Sequence, residues 1–171
     1  TGDRLPKNQT EVYAREQVLL HAMQRTEVVV QGIRLGEIGI ATTPCETYAV
    51  TGLKIKAASP LPNTMVIELA NGGDGYIPPP EQHRWGGYNT WPARSAGLEV
   101  NAEPRITEAA ISALEAVSGR ARRDHALPLG PLTKHTLQLA PHALLRLNDP
   151  TGPVAVDASG NGRHGSYEAD I

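Results

Sequence analysis

The sequence predicts an α/β protein, a mixed sheet covered by helices, on three observations. First, β-branched and largely apolar runs (Glu27–Leu35, Glu37–Thr42, Met65–Ala70) alternate with runs of helical spacing (Gln9–Gln24, Thr47–Lys56, Pro104–Ser118). Second, 40% of the 171 residues are hydrophobic and 20% are charged, the balance of a globular chain. Third, 17 Gly and 14 Pro mark many fixed turns between those runs. There is no Phe and aromatics are 4%, so the core must be built from Leu, Ile, Val and Ala.

Gln9–Gln24 reads as an amphipathic helix covering the sheet, with Val12, Val18, Leu19, Ala22 and Met23 at helical spacing and Thr10 as its N-cap. Glu27–Leu35 and Glu37–Thr42 read as two strands joined at Gly36, and Gly39 inside the second predicts close approach of another element. Thr42-Thr43-Pro44-Cys45-Glu46-Thr47 then turns from strand to helix, the arrangement that delivers side chains to the carboxyl edge of a sheet. Glu46 has two readings here: a carboxylate capping the Thr47–Lys56 helix, or a site residue. Cys45 is read as a small buried residue or as a metal ligand.

Ser59–Thr64 is a turn and Met65–Ala70 a strand leading into Asn71–Tyr76, where three glycines and Asp74 precede Tyr76 and Pro78-Pro79-Pro80 follow it. Gly and Pro together shape such a loop, and shaped loops carry sites. Tyr76 is a rim tyrosine or a ligand. His83 lacks a second His or Cys at ligand spacing and is read as a surface residue or a substrate contact. Trp85 and Trp91 flank Tyr88 and either pack the loop or line an apolar channel. Pro104–Ser118 is a helix with Ile106, Ala109, Ala110, Ala113, Leu114 and Val117 as its apolar stripe, ended by Gly119. Arg120-Ala121-Arg122-Arg123-Asp124 reads as a solvated basic helix end or linker. Beyond it, Pro128, Gly130, Pro131 and Pro141 break the chain into short pieces.

Three groups of residues resemble the neutral ceramidases, especially the ceramidase-like proteins of bacteria. They are Pro44-x-Glu46-x-x-x-x-x-Gly52, then Leu69-Ala70-Asn71…Gly75-Tyr76-Ile77-Pro78…Glu81, and Gly87-Tyr88 at the matching distance. The likeness spans residues 10–118. Cys45 stands where the family has Gly, and Asn89 where Glu is common. The resemblance implies a zinc-dependent hydrolase of an N-acyl, ceramide-like amide bond. It implies Glu46 and Tyr76 as zinc ligands, with His ligands supplied by sequence upstream of Thr1, and Tyr88 as the group that stabilises the transition state. A lipid amide is the implied substrate, and an extracytoplasmic location is implied by the resemblance alone.

The end of the chain, with Arg146-Leu147-Asn148 and Asp157-Ala158-Ser159-Gly160-Asn161-Gly162, resembles the opening of laminin-G-like (concanavalin A-like) β-sandwich domains. Such modules imply glycan or surface contact. The expected division is residues 1–124 as the C-terminal portion of a layered α/β catalytic domain, 125–144 as a linker, and 145–171 as a truncated, poorly anchored sandwich start. The opening Thr-Gly-Asp and the closing Tyr-Glu-Ala-Asp-Ile suggest an internal piece of a longer protein, one expected to be inactive alone. The contrasting reading is a non-catalytic extracellular binding or structural protein on a degenerate ceramidase-like scaffold. A net charge of −2 gives no electrostatic drive toward nucleic acid or anionic membrane. No apolar run reaches the roughly 18 residues of a membrane span.

Overall fold

A computed structural model describes residues 4–123, 129–147, 149 and 153–167. The chain divides into two compact units, Thr1–His125 and Ala126–Ile171. The expected placements of Asp124, Pro128 and Asn148 lie outside the described residues.

The first unit is a mixed α/β structure. β1 (Gln31–Leu35), β2 (Ile38–Thr42) and β4 (Asn63–Ile67) form a three-stranded sheet in the order β1-β2-β4. β1 and β2 are antiparallel, with Ile33 opposite Ile40, and β2 and β4 are parallel, with Ile40 opposite Met65. Between β2 and β4 the chain passes through β3 (Glu46–Thr47) and helix α2 (Ala49–Ala58). A parallel pair needs such a crossover, because a hairpin turn cannot reverse the chain twice. β5 (Tyr76–Ile77) pairs in parallel with β3, and the short α3 (Pro80–His83) follows it.

Helix α4 (Ala102–Ser118) lies with α2 on one face of the sheet. Its Ile106, Ala110, Ile111 and Leu114 are buried, while Val117 of the expected stripe is 41% exposed. Ala41, Ile55, Ala110 and Leu114 make one aliphatic core, with Val66 against it. α4 comes this close because Gly32 and Gly39 have no side chain. A Cβ at Gly32 would sit 2.6 Å from the Ala113 carbonyl carbon, and one at Gly39 would sit 3.3 Å from Leu114 Cδ2. Inside this face Glu103 is fully buried, accepting from Thr51 Oγ1 at 2.8 Å and lying 3.2 Å from Lys54 Nζ. A buried carboxylate needs that cation and those hydroxyls to offset desolvation.

Several boundaries differ from expectation. Helix α1 (Gln9–Met23) is capped by Asn8, whose side chain accepts from the Glu11 amide, and not by Thr10. It has no buried residue and does not cover the sheet. Val12, Val18 and Met23 remain about half exposed, and the helix docks through Glu16 to Arg94, Gln17 to the Pro92 carbonyl and the Tyr13 ring to Trp91. Val28 and Val30 do not extend β1; they pack instead against Cys45, Ile77, Ala102 and Ile106. The Arg120–Arg123 run is anchored rather than loosely solvated. Arg120 pairs with Glu37 at 2.7 Å, Arg122 pairs with Glu108 and Glu115, and Arg123 donates to the Ser59 and Lys56 carbonyls.

The second unit holds helix α5 (Pro131–Gln138), within the stretch expected to be a linker, and the antiparallel pair β6 (Val154–Ala155) and β7 (Gly165–Ser166). Its centre is Asp157, 6% exposed. The Asp157 carboxylate accepts from the amides of Leu144, Ser159 and Arg163 and from the Ser159 hydroxyl. Those donors hold the carboxyl well below the usual range, with the Leu144 amide contributing most.

Candidate functional site

β2 and β4 run parallel, so their carboxyl ends lie at one edge, and the chain beyond each end continues side by side. Thr43 donates to the Ile67 carbonyl at 2.9 Å and Ala70 to the Thr43 carbonyl at 3.0 Å. Past that point Glu46 donates to the Gly75 carbonyl at 3.0 Å, and Glu46 and Tyr76 become register partners across β3 and β5. Glu46 is therefore a strand residue. It does not cap α2, whose N-cap is Tyr48 and whose first turn carries no acidic residue.

A third strip completes the support. Tyr76 donates to the Ser95 carbonyl at 2.8 Å, and Gly75 bridges Ala96. Gly75 has φ +81°, and a Cβ there would lie 2.1 Å from the Ser95 oxygen. Only glycine lets the three backbones meet.

On this platform the three residues singled out by sequence come together. The hydroxyls of Tyr88 and Tyr76 lie in hydrogen-bond contact at 3.2 Å, and the two rings meet edge to face with centroids 5.2 Å apart. That contact, partial desolvation and the nearby Glu46 carboxylate push the Tyr76 phenol up to about 12. Each cause disfavours a phenolate, so Tyr76 is a neutral hydrogen-bond donor beside a carboxylate. Tyr76 is half-buried and Tyr88 is 59% exposed, so the cluster opens to solvent.

Sequence reasoning singled out Asn89 but missed Tyr48 beside it. Tyr48 accepts a hydrogen bond from the Asn89 side chain, and its phenol is pushed up by burial and by Tyr88, against the lowering effect of that hydrogen bond. The signal was present: Tyr48 lies two residues beyond Glu46 in extended backbone, where alternate side chains share a side. Nothing local in the sequence foretells the Asn89 partner, which lies 41 residues away.

The remaining candidates fall elsewhere. Cys45 is fully buried in the Ile77–Ala102–Ile106 cluster, and burial pushes its thiol up, the reverse of a ligand thiolate. Trp91 packs edge-on to Tyr13 of α1 at 5.3 Å, so it fastens the loop, while Trp85 is 61% exposed. His83 ends α3.

A carboxylate and a phenolic oxygen brought side by side fit part of a zinc shell, which accepts oxygen as well as His and Cys donors. They are two donors. Among the described residues no group of three or more His, Cys, Asp or Glu gathers where a metal ion could be held. Comparison with protein-family models, with curated proteins and with solved structures finds no match. By its fold the chain is a mixed α/β protein, and no helix among the described residues is long and apolar enough to cross a membrane.

Proposed function

We propose that the first unit is the C-terminal portion of a layered, ceramidase-like catalytic domain, and that the longer polypeptide is a zinc-dependent hydrolase of an N-acyl, ceramide-like amide. The observation that supports this reading is the convergence of Glu46, Tyr76 and Tyr88 at one sheet edge, from segments 12 to 42 residues apart in sequence. An edge where two parallel strands deliver polar side chains is a common seat for a site in α/β proteins.

Glu46 and Tyr76 would hold the zinc through carboxylate and phenolic oxygens, with His residues from outside these 171 residues completing the shell. A zinc ion bound there supplies polarisation of the amide carbonyl and a water of lowered pKa. The residues of this chain do the rest. Glu46 contributes the negative charge that favours a cation. Tyr76, neutral in the unliganded protein, would offer its phenolic oxygen and release its proton to solvent in doing so. Tyr88 then keeps a hydroxyl proton free to donate to the oxyanion developing on the amide carbonyl. Loss of one such donor costs roughly 3–4 kcal/mol of transition-state stabilisation. The Gly75–Ser95 platform fixes where the two tyrosines stand. The second unit, in this reading, is the start of a laminin-G-like module.

The test is metal content and ceramide hydrolysis in the longer polypeptide, wild type against Glu46→Ala. Zinc and N-acyl hydrolysis are expected in the wild type, and both should fall in the variant. A longer polypeptide that carries no zinc and cleaves no N-acyl lipid overturns the reading and leaves a non-catalytic binding protein. The 171-residue chain alone is expected to bind zinc weakly, because two oxygen donors do not make a tight site; submicromolar affinity by titration calorimetry would contradict this.

A further inference from the structure

Tyr88 sits in a turn that closes on itself. The Thr90 amide and hydroxyl each donate to the Gly87 carbonyl at 2.9 Å, and the Trp91 amide donates to the same oxygen at 3.2 Å. Thr90 is buried, so the base of the turn is packed, while Tyr88 within it stands open to solvent. Such a turn fixes its own backbone. It does not fix where the Tyr88 hydroxyl stands relative to Glu46 and Tyr76, which arrive on other segments. The next residue makes that link: the Asn89 side-chain amide donates to the Tyr48 hydroxyl. Tyr48 is itself held firmly. It is the N-cap of α2, in extended backbone two residues past Glu46, and its carbonyl accepts from the Thr51 amide at 2.9 Å. Thr51 and Ile55 of that helix are fully buried.

We infer that Tyr48 and Asn89 are positioning residues: their hydrogen bond ties the turn that carries Tyr88 to the start of α2, and so sets the Tyr88 hydroxyl against that of Tyr76. The placement stands on this geometry alone; its service to amide hydrolysis rests on the proposed function. The ring contact with Tyr76 is too weak to hold an exposed tyrosine by itself, since such a side chain changes rotamer within nanoseconds. On its far side the turn is joined through Trp91 to Tyr13 of α1, a helix with no buried residue. The Tyr48–Asn89 bond is better sheltered. Both partners are half-buried, where water competes less for the donor. It also ends at the junction that presents Glu46, so residues 46–48 carry the carboxylate and hold the phenol at once. The Tyr48 hydroxyl accepts from Asn89 and keeps its own proton, so the same link can run in the opposite direction if an acceptor replaces the amide.

Proton NMR of the 171-residue chain tests this with neither zinc nor substrate, so it can succeed where the hydrolase reading fails. Nuclear Overhauser contacts between the Tyr76 and Tyr88 rings are expected in the wild type. Tyr48→Phe keeps the ring and removes the acceptor, and Asn89→Leu keeps the approximate size and removes the donor. Each is expected to lose those contacts while the core methyl signals of Leu114 and Ile55 stay in place. Asn89→Asp should retain the contacts, because Tyr48 can then donate to the carboxylate. A pair that merely packed would tolerate Tyr48→Phe and would gain nothing from the reversed hydrogen bond. Ring contacts kept in either Tyr48→Phe or Asn89→Leu overturn the inference, as do contacts absent from the wild type or lost as fully in Asn89→Asp as in Asn89→Leu. Collapse of the core methyl signals in both Tyr48→Phe and Asn89→Leu also overturns it. In the longer polypeptide, where hydrolysis is found, Asn89→Leu should lower kcat by about 10²-fold with KM unchanged, and an undiminished kcat overturns the role in the reaction. A longer polypeptide without hydrolysis overturns the hydrolase reading alone, and the ring contacts still decide the placement.

Discussion

The helix-covered side of the sheet and the Glu46–Tyr76 edge are built on opposite principles. The covered side is made of side chains: Leu114, Ile55, Ala41 and Ala110 interlock, and the backbone follows their shapes. The edge is made of backbone: Glu46, Gly75, Tyr76 and Ser95 are tied amide to carbonyl, and their side chains are left half-buried or open. Stability and chemistry are therefore separable here. Side-chain changes should damage the first region and spare the second, and a backbone change should do the reverse.

The largest expected effect is Gly75→Ala. The new Cβ meets the Ser95 carbonyl 2.1 Å away, and the residue must hold a φ of +81°. Neither conflict can be relieved without moving a strand, so a loss above roughly 4 kcal/mol is expected, or a folded chain with β5 displaced. In the second case the Tyr76–Tyr88 contact vanishes while the aliphatic core persists. Proton NMR of the tyrosine rings against the upfield core methyls would separate the two outcomes. A variant with both sets of signals unchanged would show that the backbone ties do not hold the edge.

On the covered side, Lys54→Ala leaves Glu103 buried with two hydroxyls and no cation, and about 3–5 kcal/mol of stability is expected to go. Leu114→Ala should lose about 3 kcal/mol through its cavity. Both are read by denaturant unfolding. Adding Glu103→Leu to Lys54→Met should recover much of the first loss, since an apolar pair needs no compensation. In either folded variant the Tyr76–Tyr88 contact should survive.

The covered side was the more legible of the two in the sequence. Periodicity announced α4 and its Ile106, Ala110 and Leu114, and Gly39 announced close approach. Ile111, buried in the structure, was left out of that stripe. The edge was legible as candidates, since Glu46, Tyr76 and Tyr88 stand at strand ends and in glycine-rich turns. Its assembly was not, because the pairing of β3 with β5 and the Ser95 support are contacts between distant segments that leave no local pattern. The exposure of Ile33, Ile38 and Met65 was hidden for a related reason. Ile33, Ile38, Ile40 and Met65 read as ordinary buried-strand residues, and a sequence states that a residue wants burial without stating what covers it.

Tyr88→Phe probes the edge alone. It removes one hydroxyl from an exposed residue, so stability should shift by less than about 0.5 kcal/mol. The hydroxyl of Tyr88 is the largest cause of the raised Tyr76 value. Without it, Tyr76 should titrate below about 12, read as phenolate absorbance in an alkaline titration. In the longer polypeptide, if it is the proposed hydrolase, the same change should lower kcat by roughly 10²–10³. A large fall in stability with no change in titration would mean that Tyr88 is a packing residue.

The smallest effect concerns how α1 is attached, and pH reads it. Glu16 receives the Arg94 guanidinium at 2.8 and 2.9 Å and the Arg94 amide at 3.0 Å. The hydrogen bonds from the Arg94 side chain, above all, bring its carboxyl down from the ordinary 4.5 to about 2. A carboxyl depressed in the folded state binds its proton more readily once α1 is released. The attachment is therefore at full strength above pH 4.5, weakens as pH falls toward 2, and is lost below that. The quenching and shift of Trp91 emission on leaving Tyr13 would report it, because their edge-to-face contact joins α1 to the same loop. Glu16→Gln should abolish the transition and leave the core untouched, since no residue of α1 is buried. A core that unfolds together with α1 across that pH window would show that the helix is part of the structural unit after all, and that the division between a side-chain-built core and a backbone-built edge is drawn in the wrong place.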